Sequence, residues 1–122
     1  MALSLLVAAL VAQVPSSPHV NIWGASCTHN KITQYDLLTS TFTVTSYDPS
    51  GVIMIAWITR IGQTQPAEYV TGPVYLPGAE EFQFNIQNLP IVHYSGVRTL
   101  HVTVTNMSNG LQTTGTRSFV HP

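Results

Sequence analysis

Histidine and acidic side chains are the groups of this chain that could bind a metal or transfer protons, so their spacing bears on function. None of the histidines shows the i, i+4 helical spacing or the pairing with cysteine that makes a zinc site recognisable. We therefore predict dispersed surface histidines and no metal site. Strand parity places one of them, His101, on an outer face beside Thr99 and Thr103. The histidines are His19, His29, His93, His101 and His121.

The acidic residues do not form a recognisable catalytic pair. Glu80 and Glu81 are adjacent, so they would point to opposite faces of an extended chain. Asp48 lies in the run Tyr47–Gly51, where aspartate, proline and glycine favour a tight turn. The chain also lacks a Gly-x-Ser-x-Gly motif and a phosphate-binding glycine loop. The sequence therefore predicts a protein that is not an enzyme, without catalytic residues or a cofactor. The other acidic residues are Asp36 and Glu68.

Composition points to one weakly charged, association-prone domain. A chain of 122 residues is long enough for a single core. Charged residues make up 7% of it, against roughly a quarter in typical soluble domains, and threonine, serine, asparagine and glutamine replace them. The net charge of -1 offers no basic surface, so nucleic acid is not an expected partner. Low charge also weakens self-repulsion, which favours assembly.

Two further motifs bear on the cell compartment. The single cysteine, Cys27, cannot form an intrachain disulfide, which leaves a buried thiol, a free thiol or an intermolecular disulfide. Asn106-Met107-Ser108 matches the N-glycosylation pattern in a turn-like stretch, so Asn106 is a candidate glycosylation site. This motif favours an exported protein.

The first fourteen residues carry no charged side chain and form the most unusual segment of the chain. We interpret residues 1–18 as an apolar arm with a Pro/Ser linker, and residues 19–122 as the domain. Contiguous apolar surface usually marks contact with a partner or a membrane. The run Leu3–Ala12 has the length of a signal peptide's apolar region but lacks the positive start. A membrane span needs about 20 apolar residues, and this run meets Gln13 and Pro15 too early.

The arm is therefore predicted to dock on protein, as a helix or as an added strand. Alanine and leucine favour a helix, whereas strand addition gains affinity from main-chain hydrogen bonds while alternate side chains fill pockets. The sequence leaves these two conformations open. The arm residues predicted at the subunit interface are Leu3, Leu5, Leu6, Val7, Leu10 and Val11. The acceptor residues predicted on the neighbouring subunit are Val52, Met54 and Ile58.

The rest of the chain alternates between apolar and polar residues in short runs separated by turns, which predicts an all-β Greek-key sandwich of about seven strands. Residues 25–38 are less periodic and are predicted to form a loop with one helical turn near Tyr35–Leu38. The run Val52–Ile61 is apolar on both faces, which implies that a neighbour's arm or a loop of the same chain covers its outer row. The predicted strands are His19–Trp23, Thr41–Thr45, Val52–Ile61, residues 67–78, Glu81–Gln87, Arg98–Thr105 and Gln112–Val120.

Five runs of the chain carry a resemblance to a known family: Phe42–Thr45, Asp48–Gly51, Leu89–Gly96, Leu100–Thr105 and Asn109-Gly110. They resemble the immunoglobulin-like repeats of bacterial and archaeal surface and adhesion proteins. The resemblance spans roughly residues 19–120 and implies an adhesive or structural role, with no catalytic residues to transfer. With Cys27 alone, the chain departs from the paired cysteines of antibody domains, and Trp57 is expected to fill the central core position by itself.

These features together predict the structural subunit of an extracellular filament or pilus, a homopolymer in which each apolar arm packs into a neighbouring subunit. The alternative is an immunoglobulin-like adhesion or ligand-binding module of a larger secreted protein, with an uncleaved signal segment and a glycan or protein ligand. Both place the chain outside the cell or on its surface, with membrane contact during export as a further expectation.

Overall fold

The computed structural model describes residues 14–120, which form seven β-strands in two antiparallel sheets. This confirms the predicted all-β sandwich. The strands are β1 His19–His29, β2 Asp36–Thr45, β3 Val52–Arg60, β4 Glu68–Leu76, β5 Glu81–Ile91, β6 Val97–Asn106 and β7 Gln112–Val120. Within residues 14–120 there is no helix that could span a membrane.

The strand order explains where the two sheets meet. One sheet has the order β1-β2-β5 and the other β4-β3-β6-β7, so the β2–β3, β4–β5 and β5–β6 connections cross between sheets as in Greek-key folds. Turns follow the predicted chemistry. The Gly51 N–H donates to the Asp48 carbonyl at 2.8 Å, and Gly110 N–H donates to the Asn106 carbonyl at 3.0 Å.

The core lies between the inner faces of the two sheets and consists mainly of aliphatic side chains. The cleanest alternation in the sequence, in β5, places Phe82, Phe84 and Ile86 against it, as predicted. In β6 the predicted inner row Leu100, Val102 and Val104 is fully buried. Other members are Leu38, Phe42, Val44, Val52, Met54, Ala56, Ile58, Leu76, Ile91 and Phe119.

The segment 25–38 was the least periodic in sequence, and the predicted loop with a helical turn is wrong. β1 continues to His29, and β2 already begins at Asp36, with a hairpin turn between them. A bulge shifts the register between Ile22 and Gly24, so the residues beyond it change face. The residues after the bulge in this edge strand have small side chains. The sequence there therefore shows little alternation between apolar and polar residues.

Pairing with β6 determines which of the two apolar side-chain rows of β3 faces the core. The pairs Ile58↔Leu100, Ala56↔Val102 and Met54↔Val104 join two apolar rows on the same side, which becomes the core. The predicted acceptor residues Val52, Met54 and Ile58 are therefore 0–2% exposed, and the expectation that they form an outer docking surface is wrong.

The outer row of β3 consists of Ile53, Ile55 and Trp57, all partly exposed. Trp57 stacks on His101, with ring centroids 5.1 Å apart and planes at 2°. The prediction that Trp57 fills the central core position is thus also wrong, because that row faces away from the other sheet. His101 lies on the outer face with Thr99 and Thr103, as strand parity predicts.

The arm residues Leu3, Leu5, Leu6, Val7, Leu10 and Val11, together with His121, lie outside the described residues. The linker that follows the arm is attached to the β6–β7 turn. The Asn106 side chain donates to the Ser16 carbonyl at 2.9 Å, and the Asn109 side chain donates to the Pro15 carbonyl at 2.9 Å. The chain therefore enters the domain at the end of the sandwich where this turn lies.

Candidate functional site

The two sides of the sandwich differ in how closely their edge strands meet. On one side β1 packs against β7. Gly115 permits this approach, since a Cβ there would lie 2.7 Å from the Val20 Cγ1. On the other side the edge strands are β4 and β5, and an apolar cleft separates them. The sandwich is closed on one side and open on the other.

This cleft between β4 and β5 has a volume of about 240 Å³. That exceeds the roughly 150 Å³ of an engineered apolar cavity that binds benzene, so it has room for more than one aliphatic side chain. One hydroxyl residue, Thr71, interrupts an otherwise apolar wall. The lining residues are Phe42, Met54, Val70, Thr71, Val74, Phe84, Ile86 and Leu89.

The wall of the cleft that β4 forms is irregular. Register shifts fall between Met54 and Ala56 and between Ala56 and Trp57 in the β3–β4 pair, and Gly72-Pro73 interrupts β4 at the same level. Bulges bend a strand and increase its twist. The predicted edge character of residues 67–78 is thereby confirmed, although they form one bulged strand rather than several short ones.

β5 offers a regular edge across the cleft. Residues Glu81–Ile86 pair with β2 in an uninterrupted register on one side, and within residues 14–120 no strand pairs on the other. An edge strand presents unpaired N–H and C=O groups that can pair with another chain. The cleft thus combines apolar pockets with a main-chain template.

A buried charge cluster occupies one end of the sandwich. Asp36 is fully buried, and its Oδ2 accepts a hydrogen bond from Arg98 Nη2 at 2.7 Å and from the Tyr94 N–H at 3.3 Å. Its Oδ1 lies 2.9 Å from His29 Nδ1 and 2.8 Å from His93 Nδ1. Burial raises the pKa of Asp36, but the hydrogen bonds from His93, Arg98, His29 and Tyr94 outweigh it and hold that pKa well below its usual range.

This cluster was not foreseen from the sequence, which predicted dispersed histidines. The expectation is wrong for His29 and His93, whose ring centroids are 4.3 Å apart. Cys27 is buried beside the cluster, and its sulfur accepts a hydrogen bond from Arg98 Nη2 at 3.0 Å. Burial raises the pKa of the Cys27 thiol, with Arg98 opposing that effect, so the structure supports the buried thiol among the three alternatives.

Asp48 has a structural role, in agreement with the turn prediction. Its Oδ1 accepts the Ser50 N–H at 2.9 Å, and its Oδ2 accepts both the Ser108 N–H and hydroxyl at 2.8 Å. Burial raises the pKa of Asp48, but these hydrogen bonds outweigh that effect, so the net direction is downward. The carboxylate joins the β2–β3 and β6–β7 turns.

The structure argues against the predicted glycosylation at Asn106. The side chain is 1% exposed, and Nδ2, the atom that would carry the glycan, donates to the Ser16 carbonyl. The motif therefore lies in a turn as predicted, but its acceptor residue points into the domain and anchors the linker.

His101 is expected to titrate below its ordinary pKa of 6.5, because burial under Trp57 disfavours the charged ring. In the window just below pH 6.5 the unfolded chain binds more protons than the folded one. The stability due to neutral His101 is thus complete above pH 6.5 and declines as the pH falls. An NMR titration of the imidazole measures the midpoint. The variant Trp57→Ala should raise it, Tyr35→Ala should not, and a wild-type midpoint at or above 6.5 would contradict the prediction.

Within residues 14–120 the chain forms a seven-stranded antiparallel β-sandwich, with an open apolar cleft beside a strand edge that no described strand pairs. No protein-family model and no curated protein matches this chain.

Proposed function

We propose that the protein is the structural subunit of an extracellular homopolymer, such as a pilus or other filament, in which the apolar arm of one copy fills the cleft between β4 and β5 of the next. The observation that carries the proposal is the cleft, because it is apolar, open to the surface and bordered by an edge of β5 that no other strand of residues 14–120 pairs. Such a head-to-tail contact propagates an open fibre unless its rotation closes a ring.

The chemistry of the arm matches the cleft. Alternate residues of an extended arm would place Leu3, Leu5 and Val7 on one side and Leu6 and Leu10 on the other. An added strand pairs its backbone with the exposed edge and inserts alternate side chains into pockets. Met54, which was predicted as an acceptor residue, does line the cleft, although from its inner wall. The cleft thus favours the strand form of the arm over the helical one.

The position of the linker supports exchange between copies. Pro15 and Ser16 are held at the β6–β7 turn by Asn109 and Asn106, next to the start of β1. In the three-stranded sheet β1 and β5 are at opposite edges, about 10 Å apart at ordinary strand spacing. To reach its own cleft, the chain before Val14 would have to turn back across the end of the sandwich.

Removal of residues 1–14 should leave a folded monomer, because the described domain contains its own core and sheets, whereas the full chain should assemble as its concentration rises. Light scattering coupled to size exclusion, with electron microscopy of the full chain, measures this. Thr71→Arg should also abolish assembly by placing a charge in the cleft, and the matched control Thr116→Arg, on exposed β7, should assemble normally.

Two outcomes would overturn the filament proposal. Fibres that persist after the deletion would mean that the arm is not the connector. A monomeric full chain whose mature form begins near Gln13 or later would instead support a cleaved leader and the adhesion-module alternative. A tagged peptide of residues 2–14 added to the deleted domain provides a direct check, since it should shift the NMR signals of Val74 and Ile86.

One observation favours the alternative of an immunoglobulin-like ligand-binding module. Trp23 is 62% exposed at the β1 bulge, and its Nε1 donates to the Thr43 hydroxyl at 3.2 Å. Thr43 pairs with Asn21 and Gln83 on the same polar sheet face. An exposed indole beside hydroxyl and amide groups suits a glycan ligand, which offers both apolar faces and hydroxyls.

A further inference from the structure

The register of the three-stranded sheet brings two histidines to a single carboxylate. His29, the last residue of β1, is the direct cross-strand partner of Asp36, the first residue of β2. On the other side Asp36 pairs with Ile91, the last residue of β5, and His93 follows two residues later. Three strand ends therefore converge, and they carry side chains that ligate metals.

Asp36 presents one oxygen to both imidazoles. Its Oδ2 is engaged by the Arg98 guanidinium and by the Tyr94 N–H, which fixes the plane of the carboxylate. Its Oδ1 faces His29 Nδ1 and His93 Nδ1 at 2.9 and 2.8 Å. The three potential ligand atoms all lie within 4.8 Å of one another. Outer partners that orient a ligand in this way are a regular feature of metal sites.

We propose that His29, Asp36 and His93 bind one divalent transition-metal ion of the zinc class. Two imidazole nitrogens and one carboxylate oxygen suit Zn²⁺, Co²⁺, Ni²⁺ or Cu²⁺, whereas Ca²⁺ and Mg²⁺ prefer oxygen ligands alone. Three protein ligands leave one position of a tetrahedral ion for water or an external ligand. The exposed fraction of the His93 side chain, 44%, gives an ion and such a ligand a path from solvent.

The geometry requires a small rearrangement, because the contacts to Asp36 must lengthen while the widest separation among the ligand atoms, up to 4.8 Å, must shorten. With metal–ligand distances of about 2.0–2.2 Å, the ligand atoms of a tetrahedral ion lie about 3.3 Å apart. The present separations from Asp36 Oδ1 are shorter by roughly half an ångström. His29 ends its strand and His93 lies beyond the end of β5, so both rings can retreat without breaking a strand. Neutral rings would move their proton from Nδ1 to Nε2, which frees the ligand lone pair.

Arg98 opposes the ion and sets the expected strength of binding. Its guanidinium is buried and holds the far oxygen of Asp36, the Val92 carbonyl and the Cys27 sulfur. A fixed positive charge near the ion lowers its affinity, so binding is weaker than at a closed thiolate site. None of the three residues lines the cleft between β4 and β5, so the metal-binding test does not depend on the assembly proposal.

The test is calorimetric titration of Zn²⁺ into the full-length, tag-free protein after chelation and dialysis, with Co²⁺ absorption as a second readout. Wild type should bind one ion per chain, and Co²⁺ should show the visible bands of a tetrahedral site. His93→Gln and His29→Gln should each weaken Zn²⁺ binding by about 10- to 100-fold or more. That is the loss caused by removing a residue that only supports a metal ligand, and these two residues are proposed as ligands themselves. His101→Gln, the matched control on the outer face of β6, should bind as wild type.

The glutamine variants retain an amide that can donate to Asp36, so they are expected to fold, and circular dichroism verifies this. The proposal is overturned if wild type shows no saturable binding, or if the folded His29 and His93 variants bind Zn²⁺ as tightly as wild type. It is equally overturned if the loss occurs in His101→Gln, since the ion would then lie elsewhere.

Discussion

Replacing Asp36 by alanine should destabilise the domain by about 3–5 kcal/mol, because it leaves the Arg98 charge buried without its partner. Arg98 is the largest fully buried side chain of the described residues, so its guanidinium has almost no contact with solvent to replace the carboxylate. The loss should appear as a lower urea midpoint with an unchanged slope. It should also release the ends of β1, β2 and β5, which Asp36 connects through His29 and His93.

The control is Glu81→Ala, which removes an exposed carboxylate and should change the unfolding free energy by no more than about 0.5 kcal/mol. The double variant Asp36→Asn with Arg98→Met should recover much of the loss, since a neutral pair avoids the uncompensated charge. A loss below about 1 kcal/mol in Asp36→Ala would show that Arg98 finds another partner.

Gly51→Ala should cost about 2–4 kcal/mol, from two separate causes. The backbone at Gly51 has φ of +88°, a left-handed conformation that side chains disfavour. A Cβ there would also lie 2.5 Å from the Leu76 carbonyl oxygen, a backbone atom that can move only with β4. Thermal and urea denaturation measure the loss.

Gly62→Ala separates the two causes. Gly62 has a similar φ of +78°, but a Cβ there would meet nothing within 4 Å. It should cost only about 1 kcal/mol, the backbone part of the effect. Equal losses at the two positions would mean that the close approach of β4 contributes nothing.

Much of the fold was predictable because β-structure leaves a local signature. In β5, β6 and β7 every second residue faces the same way, so Phe82–Ile86 and Leu100–Val104 identify their inner rows without any knowledge of partners. The predicted last strand, Gln112–Val120, matches β7. A turn is specified by residues within about four consecutive positions, and Asp48 and Gly51 specify one here.

The predictions from sequence were wrong where the burial or the strand state of a residue depended on a distant part of the chain. Both rows of β3 are apolar, and only pairing with β6 determines that Met54 and Ile58 face inward while Trp57 faces outward. The second half of β1 carries small residues after a bulge, and its strand state depends on pairing with β2. The burial of Asn106 likewise depends on the linker residue Ser16, ninety positions earlier.

The sequence by itself determined the strand content, the turns and the apolar character of residues 1–14, because these follow from propensities and periodicities within a few residues. The tertiary structure alone decided the cleft between β4 and β5 and the meeting of His29, Asp36 and His93. Asp36 and His93 are 57 positions apart, and their contact at one carboxylate oxygen arises from the pairing of β2 with β5. Distances of that kind are set by register and by the packing of sheets, which no local pattern of residues encodes.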